Sequence, residues 1–192
     1  MTKQSKAKIL ATATRLFYFQ GFHGTGLNQI IKESGAPKGS IYHYFPEGKE
    51  QLAEEAILLS KERIGDVIQH YMDAHHNVED ALKAHIMAMA NLFDQENGIE
   101  THSYTMMPFG LLAAESAFMS ERLRKACGDT YKYWESIYFN KLVSNSYSEA
   151  DAHVLSEAIS ALIEGAVTLS LSQKSNNPLL NICKVIPRLL IK

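Results

Sequence analysis

Apolar side chains recur at steps of three and four along almost the whole chain, and no stretch shows the strict alternation of a half-buried strand. This periodicity predicts an all-α protein of about nine helices. Ile9, Ala13, Leu16 and Phe17 share one face of a first helix over about 3–20, which stops at Gly21. Thr25 then stands where it can cap a short second helix carrying Leu27, Ile30 and Ile31, which Gly35 ends, and Pro37 sits where a third can start. Beyond a Pro46-Glu47-Gly48 turn, Leu52, Ala56, Leu59, Ile64, Val67, Ile68 and Tyr71 mark a helix over about 49–74, which at roughly 39 Å is long enough to link two domains. Further helices are expected over about 77–95, 109–118, 120–145 and 148–173, the last two opened by Ser120 and Ser148 as caps. A polar break at 174–177 precedes Pro178, which starts a final helix that Pro187 can kink. Residues 96–110, mixing Gly, Pro, aromatics and methionines, read as a loop.

Charge divides along this plan. The formal net charge of the 192 residues is -2, which argues against a protein that coats nucleic acid or a polybasic membrane anchor. Residues 1–50 nevertheless hold seven Lys and Arg against three Glu, a net +4, and the remaining 12 basic and 18 acidic side chains give -6. A basic head on an acidic body points to a polyanion that meets only the head.

Within the head, GAPKGSIYHYFPEGKE (35–50) is the informative stretch. Three short helices in the first 45 residues, the second and third separated by a glycine turn, fit a helix-turn-helix module. Between Ala36 and Phe45 the clear core residues are Ile41 and Phe45, which leaves Lys38, Ser40, Tyr42, His43 and Tyr44 as donors for phosphates or base edges. Tyr42 and Tyr44 can equally complete the core of a three-helix unit. Gly39 costs a helix about 0.5–1 kcal/mol relative to Ala, which suggests that a side chain there would obstruct close approach to a DNA strand.

The string GTGLNQIIKESGAPKGSIYHYFPEGKEQL resembles the N-terminal domain of the TetR family of transcriptional regulators, and within it the LmrA/YxaF-type regulators. The likeness is dense over about 6–56, and among those regulators it is expected to extend through the whole chain. The resemblance implies a helix-turn-helix DNA-binding domain over 1–48, a ligand-binding and dimerisation domain over 49–192, and a homodimer that works as a repressor released from a double-stranded DNA operator by a small inducer. By position it implies that Thr25, Lys38, Tyr42, His43, Tyr44 and Lys49 contact the DNA backbone while Gly39 and Ser40 approach the bases. Two departures stand out: Pro37 replaces the usual hydroxyl residue near the start of the recognition helix, and the Pro46-Glu47-Gly48 turn is one residue longer than the common version.

The body concentrates methionines and rings between 99 and 138, a composition suited to a pocket for planar aromatic molecules, although such side chains also fill cores. Met89, Phe93, His102, Tyr104, Met107, Phe109, Trp134 and Tyr138 are the expected ligand-binding residues. The 148–173 helix is apolar on two sides, with small residues at 158, 161 and 165 that permit close helix approach. A two-fold dimer is therefore expected through Leu155, Ala158, Ile159, Leu162, Gly165, Ala166, Leu169, Ile182 and Ile186, the alternative being burial within one subunit.

Enzyme chemistry finds no constellation to use. His75, His76 and Glu79 lie in the polar run DAHHNVED and read as a solvated turn, and neither a nucleophile elbow nor a phosphate-cradling glycine loop is present. No metal or cofactor is expected. A helical binding module whose head does something other than hold DNA is the remaining alternative. Cys127 and Cys183 show no disulfide or zinc spacing and read as buried thiols, with a redox role left open. With no apolar signal core at MTKQSKAKIL and no uninterrupted apolar run of roughly 20 residues, the expected compartment is the cytoplasm.

Overall fold

The computed structural model describes residues 3–94 and 109–191. Among the described residues there are nine helices: α1 (Lys3–Gly24), α2 (Leu27–Ser34), α3 (Lys38–Tyr44), α4 (Lys49–Ala74), α5 (Val78–Asp94), α6 (Phe109–Met119), α7 (Glu121–Ser144), α8 (Glu149–Gln173) and α9 (Asn177–Leu189). Two of the expected caps are formed. Ser148 Oγ accepts the Asp151 N–H at 3.1 Å, and Ser120 Oγ accepts that of Leu123 at 3.2 Å. Thr25 behaves otherwise: α2 begins after Gly26 with no side-chain cap, and the Thr25 hydroxyl donates instead to the Gly21 carbonyl at 2.8 Å.

The helices form two compact units, and α4 and α7 run on from one into the other. The first takes in residues up to 61 and 109–130. Ile9, Ala13, Leu16 and Phe17 form its centre, each 1% exposed or less, with Ile30, Ile41, Phe45, Leu52 and Ala56 closed around them. α1 packs on α2, α3 and α6. α6 and the start of α7 thus belong to the same unit as the three-helix head, although some 60 residues of sequence separate them from it. α1 is broken at Gly21, whose φ of 74° and ψ of 171° lie outside the helical region.

The second unit takes in 62–94 and 131–191. α9 lies against both α5 and α8, burying Leu179, Ile182, Cys183 and Ile186. Its polar connections hold the helix ends: Lys141 Nζ donates to the His75 carbonyl at 2.5 Å, and Asn145 Oδ1 accepts the Val78 N–H at 3.0 Å. Asn77 caps α5 by accepting the N–H groups of Glu79 and Asp80. Gly65 in α4 lies so close to Tyr133 of α7 that a Cβ there would stand 2.4 Å from the ring. α8 is long and apolar enough to match a membrane span by length and composition, yet only 28% of that window is buried.

Candidate nucleic-acid interface

The head builds its outward surface from a short helix pinned at two points. Gly35 ends α2 in the left-handed region at φ 64°, turning the chain toward α3. Pro37 occupies the N-cap of α3 without a side-chain cap, and the Ser40 N–H donates to the Pro37 carbonyl at 2.8 Å. Ile41 and Phe45 are wholly enclosed and anchor α3 to the core. Tyr42 is left 54% exposed, Lys38 and His43 are also exposed, and Tyr44 is half-buried with its ring 4.9 Å from that of His43. A Cβ at Gly39 would meet nothing within 4 Å, so the subunit's own packing gives no reason for glycine there.

Ser40 and Thr25 differ from the sequence expectation. Both are buried, at 1% and 0% exposure; Ser40 stands beside Ile41 on the inner side of α3, and Thr25 Oγ1 is engaged with Gly21. Their side chains are therefore not on the surface that Lys38, Tyr42 and His43 define. Lys49, the first residue of α4, is half-buried with its ammonium 4.3 Å from the centroid of the Phe22 ring. Burial lowers its pKa, and the charge of Glu115 opposes that effect.

The longer turn has a structural use. Gly48, at φ 77°, donates its N–H to the Phe45 carbonyl at 2.9 Å, and Glu47 points its carboxylate at Arg122 of α7, 2.5 Å away. Arg122 also donates to Glu54 through Nε at 2.8 Å, and Ser120 is hydrogen-bonded to Glu50. Lys6 pairs with Glu55 at 2.7 Å and Arg15 pairs with Glu33, so two of the head's seven basic residues are held by carboxylates of its own unit. Lys8, Lys32 and Lys38 are exposed.

In the body, Met89, Trp134 and Tyr138 are buried and Phe93 is partly exposed. Phe109 is also buried but belongs to the head unit, its ring centroid 6.1 Å from that of Tyr18. His102, Tyr104 and Met107 lie outside the described residues. His85 of α5 forms a buried polar pair: its Nδ1 lies 3.4 Å from Tyr138 Oη, and the Tyr71 ring is 5.6 Å from the imidazole. Complete burial pushes the His85 pKa down to about 4 and that of Tyr138 up, so both are neutral around pH 7.

A groove of about 430 Å³ runs along α8 and α9, lined by Ala161, Leu162, Gly165, Ala166, Leu169 and Ile182 among others. Leu169 is 50% exposed there, and Leu155, Ala158 and Leu162 are partly exposed. Ile159 and Ile186 have no exposed surface and Ala166 has 4%, so these three support the face from within the subunit. A second cavity of about 430 Å³ includes Val154, Leu155 and Ile191.

A turn-linked helix pair presenting lysine, tyrosine and histidine from an apolar anchor defines a helix-turn-helix protein. The description "Bacterial regulatory proteins, tetR family" matches residues 9–56, and "Transcriptional regulator LmrA/YxaF-like, C-terminal domain" matches 79–185. The chain belongs to the TetR family, with an LmrA/YxaF-like body, and is a DNA-binding transcriptional regulator. It is 46% identical over 188 residues to the HTH-type transcriptional regulator YxaF of Bacillus subtilis, covering 98% of this chain and 96% of that one. With the regulator LmrA of the same organism it shares 48% identity over 186 residues, 97% and 96% of the two chains. The crystal structure of the reduced form of Escherichia coli NemR has the same fold, with a TM-score of 0.79 at 24% identity over 95% of this chain and 94% of that one.

Proposed function

We propose that the protein is a cytoplasmic repressor that binds its operator as a two-fold homodimer and is released by a small planar aromatic inducer. The observation that carries the reading is the α3 surface: Lys38, Tyr42 and His43 stand outward around a glycine whose missing side chain the subunit does not need. Lys38, Tyr42, His43 and Tyr44 supply donors to phosphates and base edges, the backbone at Gly39 and Ser40 approaches the strand, and Lys49 adds a phosphate contact. Thr25 contributes by holding the turn at Gly21.

The α8 and α9 groove supports the dimer. Leu155, Ala158, Leu162, Gly165 and Leu169 present an apolar face with small residues, and α8 is mostly unburied despite its apolar composition. Two heads related by a two-fold axis match the two half-sites that a helix-turn-helix dimer reads. Met89, Phe93, Trp134 and Tyr138 form the thioether and aromatic part of the inducer site, and the neutral His85–Tyr138 pair gives it a polar anchor. Titration with planar aromatic compounds is expected to change Trp134 fluorescence over the same concentration range in which labelled operator DNA is released. Compounds that bind without changing DNA affinity would contradict the inducer mechanism, because only differential affinity for two states shifts an equilibrium.

A further inference from the structure

The break at the end of α1 is completed by a side chain from α6. Gly21 takes the Phe22 N–H out of the α1 ladder, and Glu115 Oε2 accepts it at 2.5 Å. A Cβ at position 21 would stand 2.5 and 2.7 Å from the two carboxylate oxygens, so the site needs glycine for its positive φ and for the space that the carboxylate fills. The Phe22 ring stacks on that of buried Phe17, with centroids 5.7 Å apart, and the Lys49 ammonium rests 4.3 Å from the Phe22 ring centroid. That is a cation–π contact. Carboxylate, amide, ring and ammonium therefore form one series inside the head unit, starting on α6 and ending at the first residue of α4.

We propose that Glu115 is a positioning residue for DNA binding: by accepting the Phe22 N–H it fixes the ring on which Lys49 is held ready for a DNA phosphate. The inference rests on the reading of Lys49 as a phosphate contact. A free lysine side chain is ordered only on binding, at a cost in rotamer freedom, whereas one already seated on a fixed ring has lost much of that freedom beforehand. Without the carboxylate the Phe22 N–H has lost its partner in the break, and the ring no longer has a defined place. The role is invisible to a search for basic or polar surface residues, because Glu115 is acidic and acts through a backbone amide.

The test measures operator affinity of the full-length protein across a salt series for Glu115→Ala, Glu115→Gln, Lys49→Met and the Glu115→Ala/Lys49→Met double variant. Lys49→Met is expected to weaken binding about tenfold and to reduce the slope of log K against log salt by about 0.9 per site. Glu115→Ala should weaken binding about threefold to tenfold with the salt slope kept, because Lys49 still reaches the phosphate once its rotamer freedom has been given up on binding, and the double variant should bind no worse than Lys49→Met alone. Glu115→Gln, whose amide oxygen can still accept the Phe22 N–H, should stay within about twofold of wild type. A Glu115→Ala loss that adds to that of Lys49→Met, or wild-type affinity in Glu115→Ala, overturns the role of Glu115 while Lys49 keeps its own. Lys49→Met with wild-type affinity and slope overturns the Lys49 contact and this inference together. Loss of folding lowers the active fraction equally in the wild-type and Lys49→Met backgrounds and so shows itself as an additive loss. Phe22→Leu, which removes the ring and keeps the carboxylate, gives an independent arm: it should weaken binding as Glu115→Ala does and add nothing to Lys49→Met, and wild-type affinity there refutes the proposal.

Discussion

Replacing Gly65 by alanine sets two effects of opposite sign against each other. In the interior of α4 the exchange favours the helix by about 1 kcal/mol. The new Cβ, however, would stand 2.4 Å from Cε1 of Tyr133 and 3.2 Å from its Cζ and Oη. A ring cannot yield as a flexible chain end does, and overpacking of this kind costs about 1–3 kcal/mol. The steric effect should win, leaving a net loss of about 1 kcal/mol. In a Tyr133→Ala background the obstacle is gone, and the same exchange should stabilise the protein by about 1 kcal/mol. The predicted result is thus a reversal of sign between backgrounds, not merely a difference in size. Trp134, the one tryptophan of the chain, is buried next to Tyr133 and reports urea unfolding at fixed protein concentration, with the m-value checking that the transition is unchanged in kind. Stabilisation by Gly65→Ala alone, or equal effects in both backgrounds, would refute the close contact as the reason for the glycine.

Two further outcomes follow from the body. The pKa of His85 is about 4 in the folded protein against 6.5 for a free imidazole, so the unfolded chain takes up the proton first as pH falls. Stability is complete above about pH 6.5 and should decline by about 3 kcal/mol toward pH 4, as equilibrium unfolding at a series of pH values would show. His85→Gln should flatten the curve across that window. Leu169→Glu places a charge on the half-exposed centre of the α8 and α9 groove; sedimentation is expected to show a monomer with weakened operator binding, and a persisting dimer would move the interface elsewhere.

Periodicity made the helices legible almost end to end, because each of α1, α4, α5 and α9 has to bury one stripe and the stripe is written at steps of three and four. Local chemistry also announced the Ser120 and Ser148 caps and the anchors Ile41 and Phe45. The partners and facing of individual polar side chains were not legible, near in sequence as well as far. Thr25 was expected to cap α2, but the break at Gly21 placed a carbonyl within reach of its hydroxyl. Ser40 was grouped with the outward donors, although its position next to Ile41 puts it on the buried side of so short a helix. Glu115 meets Phe22 across 93 positions and Arg122 meets Glu54 across 68, and no local pattern marks either pair. Ile159, Ala166 and Ile186 illustrate a different limit: two apolar sides predict two contacts, but which of them is buried within the subunit is decided by the packing of α9 on α8.

The central claim is that α3 reads DNA. Selection of bound fragments from random double-stranded DNA by the full-length protein, followed by affinity measurements with Tyr42→Ala and Lys38→Ala, tests it most directly. The account predicts enrichment of a two-fold symmetric sequence, with a loss of about 1–3 kcal/mol for a base-contacting side chain and a shallower salt dependence for a phosphate-contacting one. Failure to enrich any sequence, or an enriched sequence bound equally well by both variants, would contradict it.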